Sequence, residues 1–199
     1  MLDLLDYRRR VAGTYNLIRS KGTSKPESFS AFRASRDELF AQHPQSPLDT
    51  EQKLSFTHLN YYPYNPAYRV LAEVQLLDAP LEYESDGGDD GAVKIRQIGT
   101  VDISLPHGSG SLGVFWIAGY GGGVFIPFRD ATNGDSTYGA GRFLYSELPQ
   151  GGKVELDFNQ ATNPFCAYTP YATCPLPPSQ NRLDFRVEAG EKVYHNESD

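Results

Sequence analysis

Few residues in this chain could carry thiol or soft-metal chemistry. There are two cysteines and four histidines in 199 residues. No CxxC and no His-Glu-x-x-His spacing occurs, and His58, His107 and His195 show no paired spacing with Cys166 or Cys174. A structural zinc site needs four such ligands at close intervals, so no metal and no cofactor is expected. Positive charge is scarce as well. The net charge is −7, whereas a phosphate-backbone binder concentrates Lys and Arg on one face, so no nucleic-acid partner is expected. No apolar run approaches the roughly 18 residues of a membrane span, which predicts no membrane partner. The opening residues carry Asp3 and Asp6 where a secretory signal needs bases. That predicts a cytoplasmic protein with reduced thiols. There is no Walker loop, dinucleotide fingerprint or Gly-x-Ser-x-Gly elbow. Gly119 to Gly123 lacks the strand-glycine-helix setting of a phosphate loop and reads as a hairpin turn. The acidic run from Asp86 to Asp90 lacks the ligand alternation of a calcium loop and reads as a solvated turn.

Aromatics are abundant, with 13 Tyr and 11 Phe, and they favour strands. The first fifty residues nevertheless read as helical. Leu4, Leu5, Arg8, Val11, Tyr15 and Ile18 recur at three and four, with a stop at Gly22. A second helix is predicted from Ser28, with Phe29, Phe32, Leu39 and Phe40 on one face and Arg33, Arg36, Asp37 and Glu38 elsewhere. His43-Pro44 ends it, and Ser46 to Asp49 opens at most one further turn. Beyond Asn60 the period changes to two. Tyr68 to Leu76, Lys94 to Ile98, Val101 to Leu105, Leu112 to Ile117, Val124 to Phe128, Arg142 to Tyr145, Val154 to Phe158 and Asp184 to Glu188 read as short strands separated by glycine and proline turns. Helices do not interleave them. The expected fold is mainly β (α+β): an antiparallel β-roll or barrel-like sheet with an N-terminal helical arm. The arm spans 1–55 and the β domain 56–199.

Three segments set polar side chains among turn formers: 128–142, 157–168 and 174–192. In the first, Arg142 follows Gly139-Ala140-Gly141, so the backbone before it can bend sharply. Its guanidinium suits a carboxylate or phosphate ligand, or a structural ion pair with Asp130 or Asp157. Asp130 offers an acceptor to a ligand or fixes its own turn. Asp157 and Asn159 lie two apart, on one face if the strand continues through them. Cys166 and Cys174 read as two thiols packed like small apolar residues. A bridge, a reactive thiol and a metal pair stay open beside that reading. The tyrosines, Tyr138 and Tyr168 among them, line a ring-binding cleft or simply pack.

Taken together, Asp157-Phe158-Asn159, Asn163-Pro164, Cys166-Ala167-Tyr168, Cys174-Pro175-Leu176-Pro177-Pro178, Asn181-Arg182-Leu183 and Ala189-Gly190-Glu191-Lys192 resemble the signature of an uncharacterised prokaryotic family, domain of unknown function 1684. Tyr138 to Arg142 and Ser46-Pro47-Leu48 resemble it too. The resemblance covers most of the chain after Phe29 and implies no activity or residue role. Thr162 stands where the family pattern has an aromatic, which would reshape one wall of a site.

The expected function is therefore argued from residues alone. It is a small-molecule site for an anionic ligand at the strand ends, in a domain that either binds the ligand or acts on it as an enzyme. Asp130, Tyr138, Arg142, Asn159, Tyr168 and Asn181 would bind the ligand, and Asp157 or Glu191 would act as base. The rival is a non-catalytic interaction module docking a partner by its sheet edge or aromatic arm. A thiol redox or metal protein using the two cysteines is the third reading.

Overall fold

The computed structural model describes residues 1–20, 26–85, 93–117, 123–173 and 176–194. Three helices come first: α1 Leu2–Ser20, α2 Pro26–Gln42 and α3 Thr50–Ser55. Pro26 sits in the first turn of α2, where its missing N–H costs nothing. Phe29, Phe32, Leu39 and Phe40 are buried on α2, as their spacing predicts. The helix of six residues after Asp49 is longer than the single turn read from sequence. Its start is a capping box: Gln52 N donates to Asp49 Oδ1 at 2.8 Å, and Asp49 N donates to Gln52 Oε1 at 2.9 Å.

Six strands follow: β1 Arg69–Ser85, β2 Val93–Leu105, β3 Gly108–Ile117, β4 Val124–Phe128, β5 Arg142–Ser146 and β6 Lys153–Asp157. Their order is β5-β4-β3-β2-β1-β6, and every pair is antiparallel. The sheet curls into a half-barrel. Ser146 Oγ on β5 donates to Glu155 O on β6, which links the first and last strands. Just after β6, Thr162 pairs with Phe143 on β5 through two backbone bonds of 2.8 and 2.9 Å.

Two strand assignments change. Lys94 to Ile98 and Val101 to Leu105 are one strand, because the register only slips between Gln97 and Gly99. A bulge adds a residue without ending the strand. Asp184 to Glu188 is not a strand. Its burial alternates, with Leu183, Phe185, Val187 and Ala189 inside, and that alternation produced the strand reading. Its partners are loop groups rather than a neighbouring strand: Leu183 N donates to Arg129 O, and Ala131 N to Phe185 O.

The concave face of the sheet holds the main core, including Val101, Leu112, Ile126, Phe128, Leu144 and Leu156, closed over by the segment 183–189. The run Leu112 to Phe115 is buried as expected of a central strand, while Trp116 is 38% exposed. A second cluster, Ile95, Phe115, Phe125 and Phe143, lies on the other face of the sheet. A third joins the helical arm to the barrel end, where Phe29, Phe32 and Phe40 meet Tyr61 and Tyr168.

Candidate functional site

The polar residues singled out from sequence collect in two buried clusters and two latches. The first cluster is built on Arg142, which opens β5 and is 0% exposed. Gly141 before it has φ +106°, and a Cβ there would stand 2.6 Å from Phe128 O, so only glycine allows the turn that aims Arg142 inward. Arg142 Nη2 donates to Asp130 Oδ2 at 2.7 Å and to Val187 O at 2.9 Å. Nη1 donates to Ala189 O and, at 3.4 Å, to Glu191 O. The Phe128 ring lies 5.2 Å from Cζ. Asp130 in turn accepts from Thr132 N at 2.7 Å and from Val187 N at 3.3 Å. The guanidinium therefore acts as an internal cation that binds the turn at Asp130 to the plug segment 187–191. Of the two sequence readings for Arg142, the ion pair with Asp130 is the one present.

The second cluster is built on Glu191, 1% exposed. Gly190 before it has φ +78°, and a Cβ there would stand 2.7 Å from Phe158 O and 2.8 Å from Ala161 O, so the chain turns tightly and delivers Glu191 beneath α2. Three donors converge on the carboxylate. Arg36 Nη2 and Asn163 N reach Oε2 at 2.9 and 3.0 Å, and the Tyr168 hydroxyl donates to Oε1. Arg36 Nε also donates to Tyr61 OH at 2.7 Å. Phe40 packs edge-on against Tyr168, with centroids 4.8 Å apart. Burial pushes the Glu191 carboxyl above its ordinary 4.5, against the pull of Arg36 and Tyr168. Burial likewise raises both phenols well above 10. Burial opposes the charge on Arg36, but the Tyr61 and Glu191 oxygens outweigh it and the guanidinium stays protonated.

The latches are asparagine amides that stand in for backbone. Asn159 accepts from Asn65 N at 2.9 Å and donates to Asn65 O at 3.0 Å. Asn181 accepts from Gly113 N at 2.7 Å and donates to Gly113 O and Pro127 O at 3.0 and 2.7 Å. It thereby bridges β3 and β4 where, among the described residues, their own ladder has only the pair Phe115 and Phe125. Asp157 ends β6 and caps the following 3-10 turn, accepting from Asn159 N at 3.1 Å and Gln160 Nε2 at 3.0 Å. The strand stops there, so Asp157 and Asn159 do not share a strand face. Burial raises the Asp157 carboxyl above 3.8. Tyr138 donates to Cys166 O at 3.2 Å, tying the first polar segment to the second.

Sequence reasoning placed Glu191 and Tyr168 among the site residues and Tyr61 among the tyrosines of a ring-binding cleft, but missed Arg36 and Asn163. Arg36 was set apart from the apolar face of α2. Yet Phe32, Arg36 and Phe40 are four apart and share one helix face, and that spacing was the available signal. Its Cζ lies 5.9 Å from the Phe32 ring and 5.2 Å from that of Phe40. A groove of about 280 Å3 between α1 and α2 is lined by Arg10, Gly13, Thr14, Ser35, Glu38 and Leu39, and by none of the residues above. Cys166 is half-buried. Cys174 lies outside the described residues, so the pairing of the two cysteines does too. Among the described residues no group of three or more His, Cys, Asp or Glu could hold a metal ion, and no helix is long and apolar enough to cross a membrane.

These features define a class: a six-stranded antiparallel half-barrel, plugged by its own C-terminal segment and capped by a helical arm. Within that class the chain belongs to the family described as Protein of unknown function (DUF1684), which it matches over residues 54–192. Among solved structures it is similar to the solution NMR structure of an uncharacterised protein of Haloarcula marismortui. The two are 36% identical, with a TM-score of 0.67 over 83% of this chain and 92% of that one. No curated protein matches the chain.

Proposed function

We propose that this domain binds a small anionic molecule beneath α2, at the barrel end, with Arg36 as the anion partner and Glu191 as the group that carries a proton. One observation carries the reading: three hydrogen-bond donors, the Arg36 guanidinium among them, converge on a single carboxylate that is 1% exposed. A buried ion pair is poor evidence of a stability role, and perturbed carboxyls gather at functional sites. Burial raises the Glu191 carboxyl above its ordinary 4.5, toward its neutral form. When it is protonated, its claim on Arg36 weakens and the same donors suit an incoming carboxylate or phosphate. Ligand entry requires α2 to shift, since the cluster lies at the seam between arm and barrel. If the bound molecule reacts, Glu191 is the group able to exchange a proton with it.

The test is a thermal-shift screen of carboxylates and phosphates on the wild type and Arg36→Gln. A ligand at a hundred times its Kd adds about 2.7 kcal/mol of stability. The expected result is a shift confined to one anion class and lost in the variant. No shift with any compound overturns the reading.

A second reading, a non-catalytic interaction module, is favoured by Arg142. Its two terminal nitrogens are taken up by Asp130 and main-chain carbonyls, as an architectural residue requires. Under that reading the screen is silent, and Arg142→Ala lowers stability without altering any ligand response.

A further inference from the structure

Two deeply buried polar atoms have no protein partner: Arg142 Nε and Asn163 Oδ1. Arg142 is 0% and Asn163 5% exposed, so bulk water does not reach them. Such atoms are rare in folded proteins, and each calls for a cause.

The two residues stand together. The antiparallel bridge of Phe143 with Thr162 sets Arg142 and Asn163 on either side of it, where cross-strand neighbours face each other. Both also meet Glu191: Arg142 Nη1 reaches its main-chain oxygen at 3.4 Å, and Asn163 N reaches Oε2 at 3.0 Å.

Neither atom can be satisfied by reassignment. Asn163 Nδ2 donates to Lys192 O at 2.8 Å. Turning the amide over would set Oδ1 against that carbonyl, oxygen to oxygen, so the orientation is fixed. The Arg142 guanidinium is pinned by Asp130, Val187 and Ala189, so Nε–H cannot turn away.

The chemistry of the two ends then selects the occupant. Nε–H needs an acceptor and Oδ1 needs a donor. A fully deprotonated anion cannot donate to Oδ1, and an ammonium cannot accept from Nε–H. A hydroxyl oxygen does both. We infer that Arg142 Nε and Asn163 Oδ1 are the two ends of a buried site for one hydroxyl group, filled by a single water molecule. Its two protein bonds fall within the two to four that a buried water makes. The water joins the Asp130–Arg142 pair to the Glu191 cluster in one continuous network. This inference rests on different atoms from the anion reading and stands or falls separately.

The experiment is a crystal structure of the full chain at about 1.5 Å resolution, paired with NMR of the arginine Hε protons. One ordered oxygen at about 2.8–3.0 Å from both atoms is the expected result. A direct Nε to Oδ1 contact, or both atoms bonded to other protein groups, overturns the site. In solution, Arg142 Hε is expected to show a dipolar cross-peak at the water frequency, distinct in sign from exchange with bulk solvent. No dipolar cross-peak on a resolved Arg142 Hε overturns it as well.

Discussion

Arg36 on the helical arm and Glu191 near the end of the β domain form an ion pair at 2.9 Å across 155 positions of sequence. The arginine side chain is 13% exposed and the carboxylate 1%, so the pair lies at the seam between the arm and the barrel. Removing the cation should leave a buried carboxylate uncompensated. Arg36→Leu is expected to lose about 3–5 kcal/mol in urea unfolding, and Arg36→Leu with Glu191→Leu to lose less than Arg36→Leu alone. Equal losses would mean that the two residues are not coupled.

The pH dependence of stability should isolate Glu191. Its folded pKa is raised above 4.5 by burial. Between 4.5 and the folded value, the unfolded chain has released a proton that the folded chain still holds. The contribution of Glu191 to stability is thus whole below 4.5 and lost as pH rises through the folded value. Glu191→Gln cannot lose that proton. The stability of the variant minus that of the wild type should therefore rise with pH through this window. A difference that stays flat from about pH 4 to about pH 8 would show that Glu191 titrates normally.

Asn181 serves three main-chain groups on two strands. Asn181→Leu preserves much of the volume and orphans all three, at about 1–3 kcal/mol each. The expected loss is at least about 3 kcal/mol, with faster hydrogen exchange at the Gly113 amide. Unchanged exchange at Gly113 would contradict the latch.

Two glycines with positive φ make a matched pair. Gly190 has φ +78°, and a Cβ would meet Phe158 O at 2.7 Å and Ala161 O at 2.8 Å. Gly151 has φ +57° and open space around it. Gly151→Ala should cost only the backbone preference, about 1 kcal/mol. Gly190→Ala adds the two clashes and should cost clearly more, displacing Glu191 as well. Equal melting temperatures for the two variants would refute the contrast.

Much of the fold was legible because its periods are clean. Phe29, Phe32 and Phe40 announced the buried face of α2, and the alternation from Tyr68 to Leu76 announced β1. The segment Asp184 to Glu188 misled for a physical reason: alternation reports burial on one side, not a hydrogen-bonded neighbour. The polar residues were found but not their roles. Asp130 and Arg142 share the first segment, yet nothing local says that the arginine points inward. Arg36 was overlooked, despite its place between Phe32 and Phe40, because its partner lies 155 positions away and its charge argues for the surface. Gly141 and Gly190, by contrast, sit immediately before the two residues they aim inward.

The meeting of β5 with Thr162 and of β6 with Ser146 has a consequence for association. An exposed strand edge is a template onto which a partner, or another copy, can add a strand. Here Phe143 has both backbone groups engaged by Thr162, and Ser146 caps Glu155 O on the opposite border. At these two points the border is stoppered from within the chain, which opposes strand addition there.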